Sequence, residues 1–296
     1  MSDPSYYVFL TCLSVAVLVF LGSWIFHQRR PQAVLQPLEG QDVPYDPGNL
    51  APPQLPVGKV IVWPFHVVDI VGIALISAVF VSLVFLGLET EATHTTELSP
   101  TLLISNIIFQ FGLAGMVMLA MMFRVRISQW LGLRWKRWAW IFLIAPGMVV
   151  GMLALFALLQ VVGYMDWMES LGVETMQDTV KLLRDSKDPM VLALMAVAAV
   201  VVAPLCEEIV FRGYIYGAAK KFTGAAGAAV FSALVFSVAH GSVAALLPLF
   251  LLGLAFVWIY EKTGSIWAPI AVHFCFNGAT VAVQLLARAG ILDVDA

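Results

Sequence analysis

The sequence predicts an all-α fold, a polytopic transmembrane helix bundle of about eight spans. Three observations predict it. The 296 residues are 61% hydrophobic, with a mean hydropathy of +0.91. Only 12% are charged, against about 25% in an ordinary soluble domain. Apolar runs near the roughly 20 residues that a span requires recur along the chain. A soluble chain of this size could not hide so much apolar surface, which excludes soluble enzymes, nucleic-acid binders and disordered scaffolds. A formal charge of −3 offers no attraction for a polyanion. The three cysteines (Cys12, Cys206 and Cys275) lie inside apolar runs, and an odd number without an extramembrane pair reads as buried small hydrophobes, not a disulfide framework.

Residues 1–30 read as an N-terminal anchor helix with its apolar run at about 7–26. The flank before that run carries no Lys or Arg, whereas Arg29 and Arg30 follow it. This is the pattern of a retained anchor with its C-terminal end in the cytoplasm. Residues 31–58 hold seven of the 15 prolines and no Lys or Arg, the composition of an extended, solvated cytoplasmic linker. Residues 59–296 form the membrane domain. Its spans are expected at about 66–88, 101–123, 138–163, 189–206, 225–243, 245–260 and 266–287. The turn Gly241–Ala244 is very short, and Pro248 follows it closely. Between spans four and five, residues 164–188 place Trp167, Met168, Leu171, Val180, Leu182 and Leu183 among charges, as in an amphipathic helix on the membrane surface.

The basic residues fix an orientation. With the N-terminus outside, the inner segments hold Arg29, Arg30, Lys59, Arg124, Arg126, Arg134, Lys136, Arg137, Arg212, Lys220, Lys221 and Lys262, which is 12 of 16. The outer side keeps Lys181, Arg184, Lys187 and Arg288. An excess of Lys and Arg marks the cytoplasmic face.

Ionisable residues inside spans are expensive and mark function. Asp69 stands near the start of span two, and the rest crowd into the last third: Glu207, Glu208, Arg212, His240, His273 and Asn277. His27, His66 and His94 flank spans and read as interfacial or loop residues. Adjacent residues on an α-helix point about 100° apart, so Glu207 and Glu208 address different neighbours. Glu208 and Arg212 are i,i+4 and can pair; Glu207 has no such counter-charge and is free to act as a base. Pro204 upstream frees backbone carbonyls and kinks the helix, admitting water. His273 and Asn277 are again i,i+4, and together they could present donors to a developing oxyanion.

A water-activating carboxylate, two imidazoles and an amide on three helices suit hydrolysis of a peptide bond in the membrane. Glu207, His240 and His273 also approach the His₂Glu ligand set of a catalytic zinc site, although the H-E-x-x-H helix of zinc proteases is absent. Ser242 lacks a G-x-S-x-G context, and no G-x-G-D motif is present.

These residues resemble a known family. Glu207–Glu208–Ile209–Val210–Phe211–Arg212 resembles the E-E-x-x-x-R motif of the CPBP (CAAX protease and bacteriocin-processing, ABI) family, which groups CAAX-type prenyl-protein endopeptidases with bacteriocin-processing and immunity proteins. Phe236-x-x-x-His240 is similar to its second motif, and His273-x-x-x-Asn277 to its third. The resemblance covers about 189–287. It implies an intramembrane endopeptidase acting on membrane-associated or lipidated proteins in the bacterial inner membrane. In that reading Glu207 and His240 activate a water, His273 and Asn277 hold the oxyanion, and Glu208, Arg212 and Phe236 support them. Two forms of the water stay open: held by the carboxylate and imidazole alone, or by a zinc ion on Glu207, His240 and His273. The competing expectations are a non-proteolytic relative (bacteriocin immunity or a secretion helper) and a proton-linked transporter. No oligomeric state follows from the sequence.

Overall fold

A computed structural model describes residues 4–29, 59–91, 99–135, 137–173 and 186–292. The linker at 31–58, His94 and most of the amphipathic stretch after residue 173 lie outside the described residues. Every regular element among them is helical. In chain order these are α1 (Pro4–Arg29), α2 (Val68–Glu91), α3 (Pro100–Met122), the short α4 (Ile127–Trp130), α5 (Ile141–Val161) after a 3₁₀ turn, and α6 (Tyr164–Ser170). A continuous helical path follows: α7 (Pro189–Val197), a π-helical turn (Ala198–Val202), α8 (Ala203–Glu207), a second π-helical stretch (Glu208–Tyr216) and α9 (Gly217–Val238). The chain closes with α10 (Leu246–Thr263) and α11 (Trp267–Arg288).

Among the described residues, seven helical segments are long and apolar enough to cross a bilayer, where the sequence suggested eight. The two numbers differ because Pro189–Val238 is one path of 50 residues. Straight, it would run about 75 Å, more than twice a hydrocarbon core of about 30 Å. It is bent at Gly224, whose φ of 74° and ψ of 174° leave the helical region; glycine enters such a conformation without a Cβ clash. The expected fifth and sixth spans are thus two arms of one bent path. The second arm also ends sooner than expected, at Val238.

The outward surface is apolar. Leu18, Leu75, Ile108, Phe142, Val150 and Val161 are exposed, while Trp138, Trp140, Trp167 and Trp267 stand exposed at or near helix ends, as in the aromatic belts of membrane proteins. This is a multi-pass membrane protein. The middle of the path 189–238 lies inward, and its second π stretch is buried at every residue. α1 is more than an anchor, because it packs along α9. Phe20 meets Phe231 at 5.1 Å between ring centroids, Trp24 meets Phe222 at 6.2 Å, and Ser23 Oγ occupies the space a Cβ on Gly227 would need.

Candidate active site

Glu207 closes α8 and Glu208 opens the π stretch, so the two carboxylates sit where the helix widens from i→i+4 to i→i+5 bonding. π segments leave backbone groups that side chains must satisfy. The Gly213 carbonyl accepts from Trp130 Nε1 at 3.1 Å, and the Phe211 carbonyl from Ser232 Oγ at 3.1 Å. The earlier π turn poses the same problem. The Ala203 amide reaches back five residues to the Ala198 carbonyl, so the next amide in that pattern should serve Ala199. That residue is Pro204, which has no N–H. Asn277 Nδ2 donates to the Ala199 carbonyl instead, at 2.8 Å.

The expected pair between Glu208 and Arg212 is present, with both side chains fully buried and Arg212 Nη1 3.1 Å from Glu208 Oε1. That same Oε1 accepts from His273 Nδ1 at 2.9 Å. Arg212 lies over the Phe236 ring at 4.1 Å and the Phe256 ring at 4.8 Å, so stacking on aromatic faces replaces part of its lost hydration. Phe236 also meets His240 at 4.6 Å and His273 at 6.2 Å. One ring therefore touches three of the polar site residues.

His240 stands just past the end of α9. Its backbone amide bonds Ser237, leaving the Phe236 carbonyl without its helical donor. Nδ1 of the same histidine supplies that hydrogen at 2.8 Å. Because a carbonyl only accepts, Nδ1 carries the proton, and Nε2 of the neutral ring is an acceptor. Gly241 follows with φ 68°, the left-handed geometry that ends helices and favours glycine. His240 Nε2 lies 3.9 Å from Glu207 Oε2. Glu207 Oε2 is buried with no hydrogen-bond partner among the described residues. Two acceptors face one another across a gap wider than a hydrogen bond, the arrangement that a water donating both hydrogens would bridge.

Both residues line a cavity of about 400 Å³ walled by α2 and α3 on the far side. His273 is brought to Glu208, but neither His273 nor Asn277 lines the cavity. Each has a protein partner, Glu208 and the Ala199 carbonyl respectively. The expected shared face of His273 and Asn277 therefore leads to two different neighbours. Of the expected zinc ligands, Glu207 and His240 face one another at the cavity, while His273 gives its Nδ1–H to Glu208 and keeps Nε2 uncommitted. Among the described residues no three His, Cys, Asp or Glu side chains gather as a metal-ligand set.

Two polar clusters away from the cavity have partners that sequence spacing does not reveal. Asp69 is 1% exposed. Its carboxylate accepts from Arg124 Nη1 at 2.7 and 2.8 Å, Tyr214 Oη at 2.9 Å and the His66 amide at 2.6 Å. Gly72 makes room for it, since a Cβ there would lie 2.2 Å from Tyr214 Oη. Glu261 accepts from Tyr216 Oη at 2.6 Å and pairs with Lys220, which also donates to the Val60 carbonyl. Sequence reading missed Asn106 and Gln110, which line the cavity from α3. Two amides at i,i+4 inside an apolar span were the available signal.

A multi-pass helical protein with a carboxylate–imidazole pair on a membrane-embedded cavity is the class that fold and site define. Comparison narrows it. Residues 189–279 match the family model described as Type II CAAX prenyl endopeptidase Rce1-like. Among curated proteins the chain is similar to the "Putative membrane peptidase YdiL" of Bacillus subtilis strain 168, at 35% identity over 92 residues, covering 31% of this chain and 38% of that protein. The chain thus matches well under half the length of that relative. No solved structure matches it significantly. Residues 189–279, the segment holding all three motifs, are thus similar to the CAAX-protease (CPBP) family.

Proposed function

We propose that the protein is an intramembrane endopeptidase in which Glu207 and His240 activate a water for attack on a peptide carbonyl. The observation that carries this reading is the unpartnered Glu207 Oε2 facing His240 Nε2 at 3.9 Å on the cavity wall. A water there donates one hydrogen to each and leaves an oxygen lone pair directed at a substrate. As oxygen bonds to the carbonyl carbon, Glu207 takes the proton. It then passes that proton to the amine nitrogen as the C–N bond breaks, which regenerates the carboxylate. His273 and Asn277 are the proposed oxyanion donors, through hydrogens not committed to Glu208 and Ala199. For His273 that hydrogen is on Nε2, with Glu208 holding Nδ1–H.

In this mechanism the acceptors Glu207 Oε2 and His240 Nε2 hold the water by its two hydrogens, and no step calls on an ion. Hydrolysis is expected to continue in excess chelator, and its loss there would favour a zinc ion on Glu207, His240 and His273 instead. The proposed substrates are membrane-embedded or lipidated proteins, and the proposed orientation is N-terminus outside in a bacterial inner membrane, on the distribution of basic residues. The test is cleavage of fluorogenic membrane peptides in proteoliposomes by wild type and Glu207→Gln. Equal rates would remove the proposal. For orientation, a cysteine at Asn49 should label only from the cytoplasmic side.

A further inference from the structure

The cavity has a second polar wall that the water-activating pair does not use. Asn106 and Gln110 lie about 9 and 15 Å into α3, counting 1.5 Å per residue from Pro100. Gln110 is therefore well within the membrane depth. Both line the cavity together with Glu207 and His240. Amides at that depth carry a desolvation cost unless they meet partners. Their one hydrogen bond among the described residues is mutual, Gln110 Nε2 to Asn106 Oδ1 at 2.6 Å. Gln110 Oε1 is buried and accepts nothing. Each side-chain amide offers two donor hydrogens and an acceptor oxygen with two lone pairs, so one mutual bond leaves most of this capacity unused.

We infer that Asn106 and Gln110 form a binding site for the main-chain amide of a peptide held in the cavity, setting its position against Glu207 and His240. The free Gln110 oxygen would accept a peptide N–H, and the free Asn106 amide hydrogens would meet a peptide carbonyl. A peptide backbone presents just this donor–acceptor couple at every residue but proline. The rest of the α3 wall is apolar, with Phe109 and Leu113, and suits apolar side chains. Self-satisfaction as an i,i+4 pair is the competing role for the amides. It accounts for one hydrogen bond and leaves the buried Gln110 oxygen unexplained.

The proposal rests on the endopeptidase reading for its substrate class, so the test separates binding from cleavage. Full-length Glu207→Gln, which should bind without cutting, is placed in lipid nanodiscs. It is titrated with a library of fluorescent apolar peptides of about 20 residues. The tightest binder is then resynthesised with single backbone esters, each replacing one N–H by oxygen. Affinity should fall about 2- to 12-fold at one ester position, the range for one hydrogen bond. Adding Gln110→Leu should cost a similar factor with the normal peptide and nothing further with that ester. Asn106→Leu should weaken the normal peptide comparably. An apolar replacement suits the bilayer, and thermal unfolding of each variant verifies that it is folded. Unchanged affinity in both variants, or losses that multiply at every ester position, would overturn the inference, as would failure of every peptide to bind. Coupled binding without cleavage by wild type would leave the inference standing and remove the endopeptidase reading. Cleavage by wild type without such coupling would do the reverse.

Discussion

Two buried acidic centres in this protein are built on opposite principles. Around Asp69, an arginine, a tyrosine hydroxyl and a backbone amide converge on one carboxylate, and both its oxygens are bonded. Around Glu207 and Glu208 satisfaction is incomplete. Glu207 Oε2, Glu208 Oε2, Arg212 Nε and Arg212 Nη2 are all buried without a partner among the described residues. A saturated centre binds helices together and has little left to offer a substrate. An unsaturated one costs stability, and such a cost persists where the free groups serve a function. The difference teaches that an acid in a span is diagnostic of chemistry only when its partners fail to exhaust it.

The comparison is sharpest at the base itself. Glu207→Gln should leave folded yield near normal and lower turnover by about 10²–10⁴-fold, the range for a positioned proton acceptor, measured as cleavage in proteoliposomes. Glu208→Gln should act the other way, since it leaves the Arg212 cation buried and unpaired, a loss of about 3–5 kcal/mol in comparable sites. Reduced monodisperse protein and an earlier melt in detergent would report it. Identical yields and identical activity losses for the two variants would break the assigned division. Asp69→Asn is expected to cost less, about 1.5–3 kcal/mol, with turnover per folded molecule unchanged. A turnover loss without a stability loss would make the Asp69 cluster part of the chemistry. A slightly smaller stability loss than for Asp69→Asn is expected for Asn277→Ala, at about 1–3 kcal/mol for the orphaned Ala199 carbonyl. If its second hydrogen serves the oxyanion, kcat should fall about 10²–10³-fold with KM similar. A kcat that drops only in proportion to folded protein would leave Asn277 with its backbone partner alone.

Much of the site was legible because its parts are local. Glu208 and Arg212 pair as their spacing requires, and Pro204 does free a carbonyl. The helix count and the reach of the polar groups were less so. A glycine between apolar runs does not announce that two spans form one bent path, and Gly224 shows it only through its backbone angles. The i,i+4 rule placed His273 and Asn277 on one face, but a face says nothing about what stands opposite. Here the opposite residues are Glu208 and Ala199, and the π segments that present them depart from the 3.6-residue turn which spacing arguments assume. Asp69 and Arg124 are 55 positions apart, and no local pattern links them.

The size of the cavity limits what it can hold. An α-helix with its side chains is about 10–12 Å across, so a volume of about 400 Å³ accommodates roughly one helical turn. If the protein is the proposed endopeptidase, a membrane-spanning substrate is expected to unwind locally before its carbonyl meets the water. Unwinding in lipid strands backbone groups that nothing in the bilayer can satisfy. Rates should therefore track how readily a segment loosens: substrates with glycine or proline near the scissile bond would be cut first, and stiff leucine-rich helices would resist, whatever their affinity.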